Sequence, residues 1–244
     1  MSPADAHSIR FLPTDFARYR EEVQSNPEHN AARLEVRQKL DAIGKHLSGA
    51  LSKGKVSFAA RTSLHHPYRF NRNRVDSQWL YLSRSEKERK TLQRKLGIEL
   101  SKEIDQGYTH TILVLEVNEL GIECALRVHQ SAWWDSENLK RSLATLEGRN
   151  SFKATLESLE GYVLRIHDHR RSRDCIEIEA EDLSEVARYF VPGEHWLHIE
   201  RSISREDEFI TDEGLLDRLE KEFRGLLPAY EHIRWAPSND RLFS

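Results

Sequence analysis

The chain contains no apolar run of the ~18 residues that a bilayer-spanning helix needs. Met1 to Arg10 has no apolar core behind a basic start, so no secretory leader and no membrane partner are expected, and the cytoplasm is the expected compartment. Cysteine is almost missing. Cys124 and Cys175 are the only two, both in stretches that read as strands, and neither has Cys-x-x-Cys or Cys/His metal spacing. A disulfide framework is thereby excluded and a reducing compartment fits. The sequence has no Gly/Ser linker, no repeat and no low-complexity tract, so nothing marks a domain boundary. Also absent are Gly-x-x-x-x-Gly-Lys, Gly-x-Gly-x-x-Gly and Gly-x-Ser-x-Gly, which removes the commonest phosphate cradles and the serine-hydrolase elbow.

What is present is apolar periodicity in both registers. Thr14 is placed to cap a short helix at Asp15–Tyr19, and Pro27 breaks the run. From about Glu28 to Ser52, Leu34, Val36, Leu40, Ile43, Leu47 and Leu51 recur every three or four residues, the stripe of a helix lying on a sheet. Val56, Phe58 and Ala60 alternate as a strand, and Trp79–Leu82 gives a second. Ser85 caps a basic helix to about Ile104, with Leu92, Leu96 and Leu100 inward. Thr111–Val117 is nearly all apolar, as a strand covered on both faces would be, and turns through Asn118–Gly121 into the alternating Ile122–Val128. Ser131–Glu147 is expected to be helical.

A second hairpin is expected after Gly161, pairing Leu164–His169 with Ile176–Glu179. A helix at Glu181–Phe190, a strand through Leu197, Ile199 and Ile203, and a helix opened by Thr211 and bent or ended at Pro228 complete the pattern. The expected fold is α+β: a single domain over residues 1–244, with N-terminal helices at 13–52, sheet and helices at 55–203 and a C-terminal helix at 211–234. The sheet is mainly antiparallel, of six or seven strands.

Several stretches of the second half are similar to a known family. Asp168-His169 before a basic turn, Glu181-Asp182-Leu183 at a helix start, Ile199–Glu206 as a strand ending in Arg-Glu, and Phe223–Tyr230 as a helix end resemble the bacterial YktB-like family. Ala60-Arg61-Thr62 and Trp79 are fainter echoes, so the resemblance runs from about Ala60 to Tyr230. Ser172 and Ser204 stand where the family has proline, and His167 and Arg171 replace its glycine and lysine. The resemblance implies an α+β fold; the family has no established activity to lend.

Charge points to partners. The net charge is only −3, yet between Lys53 and Lys95 twelve lysines and arginines face Asp76, Glu86 and Glu88, an excess of nine that leaves the remainder at −12. Within this region Arg61, His66, Tyr68, Arg69, Phe70, Arg72 and Arg74 interleave cations with rings, and Lys87, Lys90 and Arg94 follow on the helix. Cations neutralise phosphates and rings stack on unpaired bases, so nucleic acid or an acidic protein surface is the partner this composition favours. The competing explanation is a solvated surface in which Glu86 and Glu88 pair with Lys90 and Arg89.

His167, Asp168 and His169 form the next candidate. On a strand the two histidines share a face, and Glu177 or Glu179 across the hairpin adds a carboxylate, a set that suits a divalent metal and a hydrolase. The same residues also make a plain cross-strand charge ladder with Arg165. A metal nuclease needs Glu-x-Lys on a hairpin strand. Glu116 and Glu177-Ile178-Glu179 supply carboxylates without the lysine. His65-His66, with Asp76 as partner, are a ligand pair or a general base only if they converge, and adjacent residues of an extended segment diverge. Trp133 and Trp134 are either core or, if exposed, a protein-partner anchor for a scaffold subunit. The reading that best fits the sequence is a non-enzymatic binding or accessory protein without cofactor.

Overall fold

The computed structural model describes residues 9–52, 56–96, 109–211 and 214–242. Helix α1 (Asn30–Leu51) leads to strands β1 (Phe58–Thr62) and β2 (Ser77–Arg84), then α2 (Glu86–Leu96). Strands β3 (Thr111–Asn118) and β4 (Gly121–Val128) form the first expected hairpin. Helices α3 (Trp133–Ala144) and α4 (Leu146–Leu156) precede β5 (Val163–Ile166) and the two-residue β6 (Arg173–Asp174). Helix α5 (Ala180–Tyr189), strand β7 (Leu197–Ser204) and α6 (Leu215–Ile233) complete the chain. The seven strands make one antiparallel sheet in the order β1-β2-β3-β4-β7-β5-β6, so the α+β class expected from periodicity is the fold observed.

Two compact units divide the described chain. The first comprises the described residues of the ranges 9–82, 114–124 and 202–223. Its helix α1 lays Val36, Leu40, Ile43, Leu47 and Leu51 on β1 and β2, each burial contributing ~1.5–3 kcal/mol. Gly44 permits this approach: a Cβ there would lie 2.7 Å from Leu80 Cδ1 and 3.0 Å from Ala60 Cβ. Leu34, expected in the stripe, is 39% exposed, and the position one residue back holds the fully buried Arg33. That guanidinium donates to the carbonyls of Arg18, Val23 and Asn26 and to the Asn30 side chain, organising the turns before α1. Thr14 lies inside the first helical turn rather than capping it; Asp15 accepts from the Leu12 N–H at 2.7 Å instead. At the β3–β4 turn a Cβ on Gly121 (φ +152°) would lie 2.1 Å from the Ile203 carbonyl, so only glycine fits.

The second unit comprises the described residues of the ranges 83–113, 125–201 and 224–242. Here β5 pairs with β7 through Leu164↔Ile199 and Arg165↔His198. The helix expected over Ser131–Glu147 is interrupted at Thr145, whose backbone is extended and whose hydroxyl accepts from the Gly148 N–H at 3.0 Å, capping α4. The second hairpin is shorter than its alternation suggests. Strand β5 stops at Ile166, His167 and Asp168 turn, and Cys175–Glu177 forms a 3-10 helix. Cys175 is therefore not on a strand; both cysteines are buried and neither forms a disulfide. Pro228 lies inside α6, which runs on to Ile233 instead of ending there. Thr211 closes a separate turn at Glu208–Thr211 rather than opening that helix. The expected stretch of α2 beyond Leu96, including Leu100, falls outside the described residues.

Candidate nucleic-acid interface

The connection between β1 and β2 is held at both ends. Beyond β1, the Ser63 N–H donates to the Trp79 carbonyl at 2.9 Å and the Ser63 hydroxyl accepts from the Trp79 N–H at 3.0 Å. At the far end Val75 is buried and its N–H donates to the Gln24 carbonyl at 2.9 Å. From α1, Arg37 donates to Thr62 Oγ1 at 3.2 Å and to His65 Nδ1 at 3.4 Å, while the Thr62 hydroxyl donates to Asp41 at 2.8 Å. An arginine can only donate, so His65 Nδ1 is the acceptor. Burial, then the neighbouring His66 and Arg37, push the His65 pKa below the ordinary imidazole value and favour this neutral form.

Inside the loop Asn71 is the organiser. Its side-chain oxygen accepts from the Tyr68 N–H at 2.7 Å, its amide donates to the His66 carbonyl at 3.0 Å, and the Tyr68 carbonyl accepts from the N–H groups of Asn71 and Asn73. This network holds Arg72 (φ +55°) and Asn73 (φ +57°) in the left-handed region, which costs roughly 1–2 kcal/mol per non-glycine residue. The loop thus has a defined shape, and what that shape displays is aromatic. Phe70 is 78% exposed and Tyr68 42%. Their centroids are 5.5 Å apart, and the Arg69 guanidinium sits 4.9 Å over the Phe70 ring and 5.8 Å over Tyr68. His65, His66 and Tyr68 continue the chain of ring contacts at 4.9 and 6.2 Å, so the two histidines meet edge to face instead of diverging. They sit on a bend, not an extended segment.

Among the described residues Arg61, Arg69 and Arg72 have no ion-pair partner, and all three are exposed; Arg74 sits 3.7 Å from Asp76. Arg61, at the end of β1, and these loop residues belong to the first unit. Lys87, Lys90 and Arg94 belong to the second. On α2 the Ser85 hydroxyl accepts from the Glu88 N–H at 3.3 Å, the cap expected from sequence. Several of the helix groups are turned on their own neighbours, while Lys87 is exposed. Lys90 pairs with Glu86 at 2.5 Å, Glu88 with Arg234 at 3.4 Å, Arg94 donates to Thr91 and the Lys90 carbonyl, and Arg89 is buried.

The His167-Asp168-His169 set does not share a strand face. His167 and Asp168 lie on the exposed turn, and His169 packs its ring 4.5 Å from Tyr189. Asp168 approaches His195 at 3.6 Å. The carboxylates meant to complete the set are elsewhere: Glu179 pairs with Lys153 at 2.6 Å, and Arg165 of the supposed ladder grips Glu200. Among the described residues no group of three His, Cys, Asp or Glu side chains is placed to hold a metal ion.

Sequence reasoning missed two charged clusters of the second unit. On β7, His198 and Glu200 are two apart and so share a face; His198 Nδ1 lies 3.0 Å from Glu200, which also accepts from Arg165. Burial by itself would raise the Glu200 carboxyl, but the hydrogen bonds from His198 and Arg165 and their charge hold it at about 2. The spacing His-x-Glu on an alternating strand was the available signal. The second cluster is Arg84, whose Nη2 donates to Asp135 at 2.9 Å and to the Trp235 carbonyl at 2.7 Å. Asp135 also accepts from the Thr111 N–H and hydroxyl and from the Trp235 N–H. Both side chains are 2% exposed, so the pair is structural. Trp134 packs with Trp235, Leu92 and Leu242, while Trp133 stays 46% exposed.

Compared with protein-family models and with curated proteins, the chain matches none.

Proposed function

We propose that the protein is a binding or accessory protein that holds single-stranded nucleic acid on the loop from Leu64 to Arg74. The observation that carries this reading is Phe70, a ring left almost fully in water with a guanidinium on one face. A phenylalanine in that position forgoes ~1.5–3 kcal/mol of burial, while a base stacked on it recovers ~1–3 kcal/mol. Arg61, Arg69 and Arg72, free of carboxylate partners among the described residues, supply the charge that phosphates need. The preformed loop reduces the ordering cost of binding.

Fluorescence anisotropy with a labelled 12-nucleotide single strand, titrated between low and moderate salt, tests the proposal. Three arginines at three phosphates give a slope of log K against log salt of about −2 for a single strand. Phe70→Ala lowers the affinity by about 5- to 100-fold with the melting temperature unchanged. Absence of binding to any DNA or RNA strand at low salt ends this reading.

A further inference from the structure

A base inserted between two protein rings requires them parallel and about 7 Å apart, twice the ~3.4 Å stacking interval of a nucleic-acid strand. The loop is built differently. His65 and His66 cross at 75°, His66 and Tyr68 at 72°, and Tyr68 and Phe70 at 52°, with centroids 4.9 to 6.2 Å apart. The two histidine contacts are edge-on and the Tyr68–Phe70 pair is tilted, so no pair is parallel and no slot is left for a base between neighbours. The Asn71 network and the left-handed pair Arg72-Asn73 hold this arrangement in place. Phe70 is the terminal ring of the series. Arg69 lies over its ring at 4.9 Å, yet the residue remains 78% exposed.

Resting on the function proposed above, we infer that the loop takes one unpaired base at a time on the open face of Phe70, with the flanking phosphates on Arg69 and Arg72. The ligand class is therefore a nucleotide displaced from a stack, such as a bulge, a flipped base or a strand end, and the footprint is short. A protein that tracks a continuous strand needs successive stacking platforms along a groove, and the herringbone of His65, His66, Tyr68 and Phe70 provides one. Arg69 then acts twice, as the cation under the ring and as a donor to phosphate from its edge, which the planar guanidinium allows.

The full chain is titrated with oligothymidylates of 2, 4, 8 and 16 nucleotides, and with a 16-base-pair duplex carrying or lacking a single unpaired thymidine. The expected result is an affinity, corrected for the number of equivalent registers, that stays level within about twofold from 4 to 16 nucleotides. The bulged duplex binds at least about tenfold tighter than the paired one, Phe70→Ala removes that preference and Phe70→Tyr retains it. Phe70 is exposed, so both variants are expected to keep the wild-type melting curve, and circular dichroism checks this. If corrected affinity climbs steadily through 16 nucleotides while Phe70→Ala still weakens binding, the single-base inference is overturned and the broader binding function stands. If bulged and paired duplexes bind equally with Phe70→Ala unchanged, the inference is likewise overturned. If no oligonucleotide binds, both fall together.

Discussion

The stretch from Arg61 to Arg74 carries four basic residues and the segment from Arg84 to Arg94 five, yet they spend their charge differently. In the second segment Arg84 is buried against Asp135, Lys90 is paired with Glu86, Glu88 reaches Arg234, and Arg89 is buried. At the end of β1 and in the loop, Arg61, Arg69 and Arg72 face water without carboxylate partners among the described residues, and the loop arginines lie beside rings that are also in water. A run of positive residues thus has two physical meanings, internal scaffolding or an open surface, and only the partners of each side chain tell them apart. Exposed unpaired charge adds little to stability and is available for a ligand, whereas a buried paired charge is committed to the fold.

Substitutions sharpen this contrast, the buried side most strongly. Asp135→Ala leaves the Arg84 guanidinium buried without its carboxylate and is expected to destabilise by about 3–5 kcal/mol in urea unfolding. The Arg84 pKa direction agrees: burial on its own would lower it, and Asp135 together with Tyr230 and Glu88 more than offsets that. Acid acts next. His232 is buried, shares a hydrogen bond of 2.9 Å with the Ser142 hydroxyl, and has a pKa driven down to about 4 by burial and by the charge of Arg241. Its proton is harder to bind folded than unfolded, where the value is about 6.5. The stability it contributes is thus complete above about pH 6.5 and drains as pH falls toward 4, by about 3 kcal/mol in all. Melting temperatures across that window test this, and His232→Phe is expected to flatten the acid slope.

Effects on the exposed side are smaller for the fold and larger for binding. Asn71→Ala removes the side-chain bonds to the Tyr68 N–H and His66 carbonyl, costs about 1 kcal/mol in stability and weakens a single-strand complex several-fold through lost preorganisation. Lys90→Ala sits at the bottom of the scale. Its pair with Glu86 is in water, and the melting temperature is expected to stay within about 1 °C.

Much of the architecture was legible from residue spacing. The stripe from Val36 to Leu51, the alternation of Ile122–Val128 and the cap at Ser85 depend on neighbours close in sequence, which periodicity captures. The second hairpin failed because Glu177-Ile178-Glu179 alternates over too few residues to distinguish a strand from a 3-10 turn, and the helix after Ser131 failed because a capping threonine interrupts it without proline or glycine. Arg84 and Asp135 are 51 residues apart. No local pattern joins them. The loop shows both sides of this limit: its composition singled out Tyr68, Phe70 and the arginines, but their exposure and the crossed ring angles come from the Asn71 bonds and the anchor at Val75.

The central claim is that the loop, not the helix, is the open cationic surface. It is tested most directly by titrating one labelled single strand, under identical salt, against two triple variants: Arg69→Ala/Phe70→Ala/Arg72→Ala and Lys87→Ala/Lys90→Ala/Arg94→Ala. The account predicts a loss of at least about 30-fold for the loop variant and a change within about threefold for the helix variant. Equal losses in both, or a larger loss from the helix, would contradict it.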